Sequence, residues 1–369
     1  MLSTPQYNVP AMDVLERWRP DGWRRPGRVA VANRQPLEPT SETYVALVEG
    51  GADVVVTPLR GDGGRVSDAI ADADVVIAGG AALDSEVFDQ FRRARFLLRP
   101  YVGYDDIDVD AATERGILMA NVPDTFVEEV ANHTLALLLA ANRKLLQVDR
   151  FVRAGAWAGG EGTREAARPI RRLSTLTLGL VGFGNIARLV AARAAPFGFR
   201  MLAHDPYLGP EAAAGTGVTL VGMEELLRSS DIVSIHVFLS PQTRKLINAE
   251  QLALMKPEAY LVNTARGPVV DEAALIAALQ AGRLAGAALD VFEEEPLAVD
   301  SPLIGMENVV LAPHLASYSE EGDHLHRLRI AEIALQVARG GLPERKVVVN
   351  KDLYDRLAEL SELADVPRA

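Results

Sequence analysis

Short runs of β-branched and other apolar residues alternate along the chain with longer, amphipathic, alanine-rich segments. Alternation of this kind is typical of parallel β/α units, in which a helix connects each strand to the next. Two series of strand candidates are visible. The first contains residues 29–31, 54–57, 75–78 and 95–99. The second begins with a run from Leu178 and continues with residues 200–204, 232–237, 260–263, 285–289 and 309–311. The pattern predicts an α/β protein with two doubly wound parallel sheets, each forming a Rossmann-like domain.

Two long helices are predicted where the series meet and end. Residues 127–146 contain a nearly continuous apolar wall, and Thr125 and Glu128 before it have the spacing of a capping box. Residues 320–339 read as a second long helix that returns the chain to the first domain. We therefore expect a discontinuous substrate domain at 28–126 plus 318–350, a dinucleotide-binding domain at 127–317, and an active site in the cleft between them. Residues 1–27 and 351–369 are expected to be terminal extensions.

Composition narrows the class of protein. Of 369 residues, 49% are hydrophobic and 24% charged, which is ordinary for a soluble globular chain, and the formal net charge is −12. An acidic chain without a long basic block disfavours nucleic-acid and anionic-membrane partners. There is no cysteine, and neither a membrane-spanning run nor a secretory leader is recognisable. We expect a cytoplasmic protein with no nucleic acid or membrane partner.

A glycine-rich turn at the start of the second series predicts a dinucleotide site. Leu178 to Val181 form a buried strand candidate, and the turn Gly182, Phe183, Gly184, Asn185 and Ile186 leads into a helix with Ala187 in the G-x-G-x-x-A pattern. Such a turn lets the backbone approach a pyrophosphate at the helix N-terminus. Asp205 ends the next strand about 20 residues later, where an acid binds the ribose 2′-hydroxyl, so it favours NAD over NADP.

Three later strands end in residues suited to reducing a 2-oxo acid. Arg266 follows one strand and provides a planar fork for a carboxylate. The acidic stretch from Asp290 to Glu295 follows another, and His314 follows a third. A histidine beside a carboxylate is an oriented proton donor that titrates near neutral pH. Each residue alone also fits a structural role, but their position at strand ends downstream of a dinucleotide turn favours catalysis.

Other chemistries have weaker support in the sequence. His133 falls in the long helix, His236 follows a strand of the cofactor series, and His324 and His326 fall on the final helix. No pair of them has metal-ligand spacing with a third ligand, and no G-x-S-x-G elbow is present. The sequence therefore predicts neither a metal centre nor a serine hydrolase.

The sequence resembles the D-isomer-specific 2-hydroxyacid dehydrogenases over nearly all of residues 28–350. Within that family it looks most like the C-terminal binding protein branch. The resemblance is carried by the motifs at 102–108, 120–123, 261–267 and 287–291. It implies that Arg266 binds the substrate carboxylate, that His314 is the acid/base, and that Glu295 tunes and orients His314. It also implies a homodimer built through the cofactor domains, with the helix at 127–146 contributing.

The resemblance assigns further contacts. It implies that Asp290 meets the nicotinamide carboxamide of NAD(H), and that residues besides the glycine turn touch the cofactor, among them Val102, Val237, Thr243 and Thr264. Ala265 is assigned to the same group. Backbone amides near the substrate are expected from Gly79, Gly80 and Gly103. Relatives usually have a glycine where this chain has Tyr101, so we expect this large side chain in the substrate pocket. At Ser317 the eukaryotic branch carries a tryptophan, so the pocket mouth is expected to have more space here.

Three hypotheses stay open on the sequence alone. The leading one is an NAD-dependent enzyme that interconverts a small 2-oxo acid and its D-2-hydroxy acid. An NAD-sensing interaction protein would instead bind the cofactor without turnover. A dehydrogenase of a phosphorylated hydroxy acid would need extra cations, for which Arg60, Arg65 and Arg99 are candidates.

Overall fold

The computed structural model describes Trp18 and residues 27–32, 41–61, 64–159 and 162–364. These residues divide into two compact units. One runs from Phe126 to Ser319 and contains a seven-stranded sheet. The other combines the described residues up to Thr125 with those from Glu320 to Ala364 and contains a five-stranded sheet. We refer to them as the seven-stranded unit and the five-stranded unit. None of the helices in these ranges is long and apolar enough to cross a membrane.

The strands of both sheets pair in parallel throughout, as the β/α alternation predicts. In chain order they are β1 (Arg28–Ala32), β2 (Asp53–Val56), β3 (Val75–Ala78), β4 (Phe96–Leu98), β5 (Leu118–Ala120), β6 (Thr177–Val181), β7 (Arg200–His204), β8 (Val218–Leu220), β9 (Ile232–Ile235), β10 (Tyr260–Asn263), β11 (Gly286–Leu289) and β12 (Val309–Leu311). The sheet orders are β2-β1-β3-β4-β5 and β12-β11-β10-β9-β6-β7-β8. The second is the doubly wound order, whose switch point lies between β6 and β9.

Helices connect these strands in both units. They are α1 (Glu42–Glu49), α2 (Asp68–Ala71), α3 (Ser85–Phe88), α4 (Val109–Glu114), α5 (Val127–Asn142), α6 (Leu145–Arg153), α7 (Thr163–Ala167), α8 (Asn185–Ala194), α9 (Met223–Ser229), α10 (Ala249–Leu254), α11 (Glu272–Gln280), α12 (Glu320–Ala338) and α13 (Lys351–Ala364). Short 3₁₀ turns fill several of the remaining connections.

Both faces of each sheet are buried, which explains the uninterrupted apolar runs in the strands. Successive residues of a strand point to opposite faces, so Leu261 and Val262 of β10 belong to different core clusters. In the five-stranded unit, Val76 and Ile77 of β3 are divided in the same way. The two-domain α/β fold predicted from the sequence is confirmed in this respect.

The structure differs from the sequence interpretation around the first long helix. The predicted helix ends early, because α5 stops at Asn142 and Lys144 takes a left-handed conformation with φ of 52° before α6 begins. The predicted capping box is wrong. The hydroxyl of Thr125 pairs with His326 and the carboxylate of Glu128 pairs with Arg193, so neither side chain caps α5.

Several elements were not recognised in the sequence. Strands β5 and β8 have only three residues each, too few for alternation to stand out. The chain after Asn350, expected to be an extension, forms α13, whose Leu353 and Leu357 are buried in the core of the five-stranded unit. Most of residues 1–27 lies outside the described residues.

Candidate active site

Three neighbouring strands bring the predicted catalytic residues to one edge of the seven-stranded sheet. Arg266 follows β10, the acidic stretch follows β11, and His314 follows β12. Because β10, β11 and β12 are adjacent and parallel, their carboxyl ends lie side by side. This edge is where doubly wound sheets bind ligands.

His314 is paired with Glu295 by a short contact. Nδ1 of His314 lies 2.7 Å from Oε2 of Glu295, and the second oxygen of Glu295 accepts the amide of Phe292 at 3.0 Å. A carboxylate only accepts hydrogen bonds, so Nδ1 carries the hydrogen and Nε2 is the ring atom directed to other partners. The two side chains are 48% and 34% exposed, respectively, which leaves the imidazole accessible to a ligand.

Asp290 holds the turn that carries His314. Its carbonyl oxygen accepts the amide of His314 at 2.8 Å, and its carboxylate accepts the amides of Leu315 and Ala316 at 2.9 and 3.0 Å. His314 has a φ of 54°, which is in the left-handed region. Residues other than glycine are uncommon there and are held in place by their surroundings. The Asp290 carboxylate is 0% exposed, so the described residues show it as a structural anchor. Its predicted contact with the carboxamide stays a prediction.

The arginine loop is fixed by the last residue of β10. Asn263 is buried, its side-chain oxygen accepts the amide of Ala265, and its side-chain amide donates to the carbonyl of Arg266. The half-buried Arg266 side chain donates to the carbonyl of Ala265 at 2.7 Å. The position of the guanidinium at the sheet edge therefore depends on Asn263.

Gly267 allows the arginine loop to pack directly against the acidic loop. A Cβ placed on Gly267 would lie 1.7 Å from the carbonyl oxygen of Phe292 and 2.6 Å from the amide nitrogen of Glu293. Only a residue without a side chain permits this approach of two backbones. Gly267 thus brings Arg266 and the loop of Glu295 together.

The glycine turn after β6 has the features that a pyrophosphate needs. Gly182 has a φ of 89°, and a Cβ there would lie 2.7 Å from the carbonyl of His236 after β9, so the turn sits at the switch point of the sheet. At Gly184, which caps α8, an added Cβ would meet no described heavy atom within 4 Å beyond its chain neighbours. Phe183 is buried, while Asn185 and Ile186 form the first turn of α8. The residues fit a dinucleotide.

Asp205 lies beside this turn, after β7. Its two carboxylate oxygens accept the amides of Phe183 at 3.1 Å and Tyr207 at 3.0 Å. The carboxylate is therefore held next to the glycine turn, where a ribose hydroxyl of a bound dinucleotide would be expected.

The other predicted cofactor residues of this unit occupy loops at the same sheet edge. Val237 follows β9, and Thr264 and Ala265 follow β10. The hydroxyl of Thr264 pairs with Thr134 of α5 at 2.8 Å. The hydroxyl of Thr243 accepts the amide of Ser240 at 2.7 Å and so shapes its own loop. Their contacts with a cofactor stay predictions.

The predicted substrate residues lie in two loops of the five-stranded unit. After β3, the amide of Gly79 donates to the carbonyl of Ala32, so that amide is already used within the sheet, and Gly80 has a φ of 74°. After β4, Tyr101 is 49% exposed, and the predicted residues Val102 and Gly103 follow it; their carbonyls accept Asn121 and Arg99, respectively.

The cation candidates for a phosphorylated substrate differ in their surroundings. Arg99 is buried and donates to the carbonyls of Gly103 and Ala78 and to Asp106, while its guanidinium stacks 5.4 Å from the centre of the Tyr101 ring. These hydrogen bonds hold Arg99 against its own loop and the end of β3. Arg60 donates to the carbonyl of Gly64, and Arg65 is exposed. Within the described ranges, no group of three His, Asp or Glu residues is arranged to hold a metal.

Sequence reasoning missed several residues that position the candidate catalytic set. Asn263 and Gly267 appeared only as letters of the family motif, and His133 was set aside as a helix residue. A signal was available for Gly267, since a glycine directly after a functional arginine indicates a close backbone approach. The partner of His133 is Asp290, which is far away along the chain, so no local sequence pattern could indicate the contact.

Comparison with known proteins identifies the family. The model of the D-isomer specific 2-hydroxyacid dehydrogenase NAD binding domain matches residues 135–316. A glyoxylate reductase of Korarchaeum cryptofilum is 44% identical over 72% of this chain and 79% of its own. The chain belongs to the D-isomer-specific 2-hydroxyacid dehydrogenase family, and the seven-stranded unit contains its NAD-binding domain. The predicted branch within the family stays a prediction.

Two further relatives show the range of the family. A D-3-phosphoglycerate dehydrogenase of Methanocaldococcus jannaschii is 38% identical over 88% of this chain, which spans only 60% of that relative. The solved structure of D-lactate dehydrogenase from Aquifex aeolicus, complexed with NAD and lactic acid, matches with a TM-score of 0.75 at 28% identity, covering 88% of this chain and 99% of that one.

Proposed function

We propose that this protein is an NAD-dependent D-2-hydroxyacid dehydrogenase that interconverts a small, unphosphorylated 2-oxo acid and the corresponding D-2-hydroxy acid. The observation that carries the proposal is the His314–Glu295 pair at 2.7 Å, which joins the loops after β12 and β11, while Arg266 follows β10, the other neighbour of β11. This set supplies a proton donor and a carboxylate-binding cation at the edge of an NAD-binding sheet.

In the reducing direction, the glycine turn and Asp205 would hold NADH, which would supply the hydride for C2 of the substrate. The guanidinium of Arg266 binds the substrate carboxylate and orients the carbonyl. Nε2 of His314 donates its proton to the carbonyl oxygen as that oxygen gains charge, and in the opposite direction it accepts the proton of the hydroxyl. Glu295 holds the ring in the required tautomer and stabilises its charged form. Arg266 thus positions the carbonyl, His314 moves the proton, and Glu295 keeps His314 ready to do so.

NAD is preferred over NADP because of Asp205. Its carboxylate is held beside the glycine turn by two backbone amides, and a 2′-phosphate there would place like charges together. The same site would accept the ribose hydroxyls of NAD as hydrogen-bond donors.

An unphosphorylated substrate is favoured over a phosphorylated one. Arg99, one of the three cation candidates, is buried and already donates to Gly103, Ala78 and Asp106. The glyoxylate reductase is also 44% identical to this chain, against 38% for the phosphoglycerate dehydrogenase. We therefore place glyoxylate and other small 2-oxo acids first among the candidates.

We also propose a homodimer formed through the seven-stranded unit. None of the nine residues of α6 is buried, and apolar side chains stand exposed on it and just after it: Leu145, Leu146, Val152 and Trp157. Exposed large apolar side chains that follow one another this closely along the chain favour a protein interface.

The test is NADH oxidation by the purified protein with glyoxylate, pyruvate, hydroxypyruvate, phenylpyruvate and 3-phosphohydroxypyruvate. We expect turnover with an unphosphorylated acid, and a large loss of turnover in His314→Ala with nearly unchanged NADH affinity, because the imidazole acts on the substrate. Tight NADH binding without turnover on any acid would favour the NAD-sensing alternative. Undiminished turnover in His314→Ala would refute the role of His314.

A further inference from the structure

Helix α5 carries two polar residues that face the segment containing His314. Glu129 and His133 are four positions apart and so lie on one side of the helix. Oε1 of Glu129 accepts the hydroxyl of Ser319 at 2.8 Å. Nε2 of His133 lies 3.3 Å from Oδ1 of Asp290. The helix therefore reaches both Asp290, which anchors the start of this segment, and Ser319 at its end.

Asp290 is the part of this arrangement that most needs a partner. Its carboxylate is 0% exposed, and a buried carboxylate is stable only when hydrogen-bond donors or a cation replace the lost water. Two backbone amides, those of Leu315 and Ala316, serve this purpose. Four lone-pair directions are available on two oxygens, so the carboxylate can accept further donors.

His133 is the side chain placed to donate a further hydrogen bond to the Asp290 carboxylate. Nε2 of His133 is buried and has no aligned hydrogen-bond partner among the residues that the structure describes, while Oδ1 of Asp290 lies at ion-pair distance. Since a carboxylate only accepts, the Nε2 atom facing it carries a hydrogen. Turning the ring slightly would direct this hydrogen at Oδ1, and burial strengthens the attraction.

We propose that His133 is a positioning residue for His314, acting through Asp290. The Nε2–H group of His133 fixes the Asp290 carboxylate, which in turn fixes the two amides after His314 and keeps the histidine in its left-handed conformation beside Glu295. His133 itself touches neither substrate nor reacting atoms in this scheme. The inference rests on the proposed function in that it takes His314 as the acid/base.

The same helix also touches the other half of the candidate catalytic set. The hydroxyl of Thr134, adjacent to His133, pairs with Thr264 in the loop that leads to Arg266. One helix thus contacts the loops of both Arg266 and His314. A loss of support at His133 should disturb the histidine while leaving the arginine loop in place, because Thr134 remains.

The experiment compares His133→Leu, which removes the donor, with His133→Gln, whose side-chain amide keeps a donor at a similar reach. Asn142→Ala is the matched control: Asn142 is buried on the same helix, but it donates to the carbonyl of Arg171 and not to Asp290 or the His314 segment. For each variant we would measure urea unfolding, NADH affinity by fluorescence, kcat and KM. Long-range ¹H–¹⁵N spectra of the imidazoles, with the His314 signal assigned by its loss in His314→Gln, report on the ring without any substrate.

We expect His133→Leu to lower kcat on the order of 10- to 100-fold at nearly unchanged NADH affinity, as for a misplacement of about 1 Å at a reacting group. The His314 signal should broaden or split in this variant. In His133→Gln, kcat and the spectrum should largely return, and Asn142→Ala should lower stability only.

An unchanged kcat and His314 spectrum in a folded His133→Leu variant would overturn the proposal, as would equal losses in His133→Leu and Asn142→Ala. A wild-type protein without turnover would count against the proposed function instead. In that case the His314 spectra still decide whether His133 positions the ring.

Discussion

Replacing Gly267 with alanine tests whether the contact between the two catalytic loops matters. The added Cβ would lie 1.7 Å from the carbonyl oxygen of Phe292, whereas Cβ atoms essentially never approach closer than 3.0 Å. Both partners are backbone, so no side chain can turn away. One loop has to move by more than about 1 Å, and overpacking of this kind lowers stability by about 1–3 kcal/mol.

The movement should affect catalysis more than it affects cofactor binding. The amide of Phe292 is bound by Glu295, which orients His314, so a shift of Phe292 changes the catalytic pair. A displacement of about 1 Å at a reacting group lowers the rate on the order of 100-fold. The glycine turn at Gly182 lies after another strand and should keep its affinity for NADH.

The assay combines urea unfolding, NADH titration and steady-state turnover of Gly267→Ala and of Gly305→Ala. Gly305 is the matched control because an added Cβ there meets no described atom within 4 Å, so we expect a change within about 0.5 kcal/mol and normal turnover. A Gly267→Ala protein with the stability and kcat of the wild type would show that the loop contact is not required, and the reasoning would be refuted.

Three further predictions concern other parts of the molecule. Asp205→Asn should reduce the preference for NADH over NADPH on the order of 100-fold, since like charges in contact cost several kcal/mol; an unchanged ratio of kcat/KM values would place the discriminating group elsewhere. Leu145→Glu should convert a dimer into a monomer in light scattering, and a persistent dimer would exclude α6 from the interface. Burial lowers the pKa of His236 to about 4, below the unfolded value of 6.5, so the unfolded chain binds a proton that the folded chain does not. The contribution of His236 to the free energy of unfolding should therefore be complete above pH 6.5 and fall as the pH drops towards 4, by less than about 3 kcal/mol because the residue is only half-buried. His236→Asn should flatten this decline in urea unfolding curves. An equal decline in both proteins would contradict the prediction.

The fold was predictable from the sequence because burial on both sheet faces leaves short, uninterrupted apolar strands separated by helices. Strand β10 illustrates this, since its apolar run stands out between polar segments and was located to the residue. Strand β8 was missed because three residues carry too little pattern. The capping box at Thr125 failed because a distant partner, His326, competes for its hydroxyl. Tertiary contacts of this kind cannot be read from local spacing.

The candidate site was predictable where topology alone decides position. The ends of parallel strands lie at one edge of a sheet, so Arg266, the acidic stretch 290–295 and His314 could be grouped without a structure, and the family resemblance singled out Glu295. The residues that hold these three side chains in place could not be predicted from strand ends. His133 lies far before Asp290 in the sequence, and their proximity depends on how α5 packs against the sheet.

The most direct test of the proposed reaction follows a labelled hydride. NADH deuterated at C4 of the nicotinamide is incubated with the enzyme and a 2-oxo acid whose reduced product is chiral, such as pyruvate or hydroxypyruvate. The product is analysed by NMR and chiral chromatography. We predict that deuterium from one face of the nicotinamide appears at C2 of the D-hydroxy acid, and that His314→Ala strongly slows this transfer. Deuterium lost to water, an L-configured product, or transfer at an undiminished rate in His314→Ala would contradict the account.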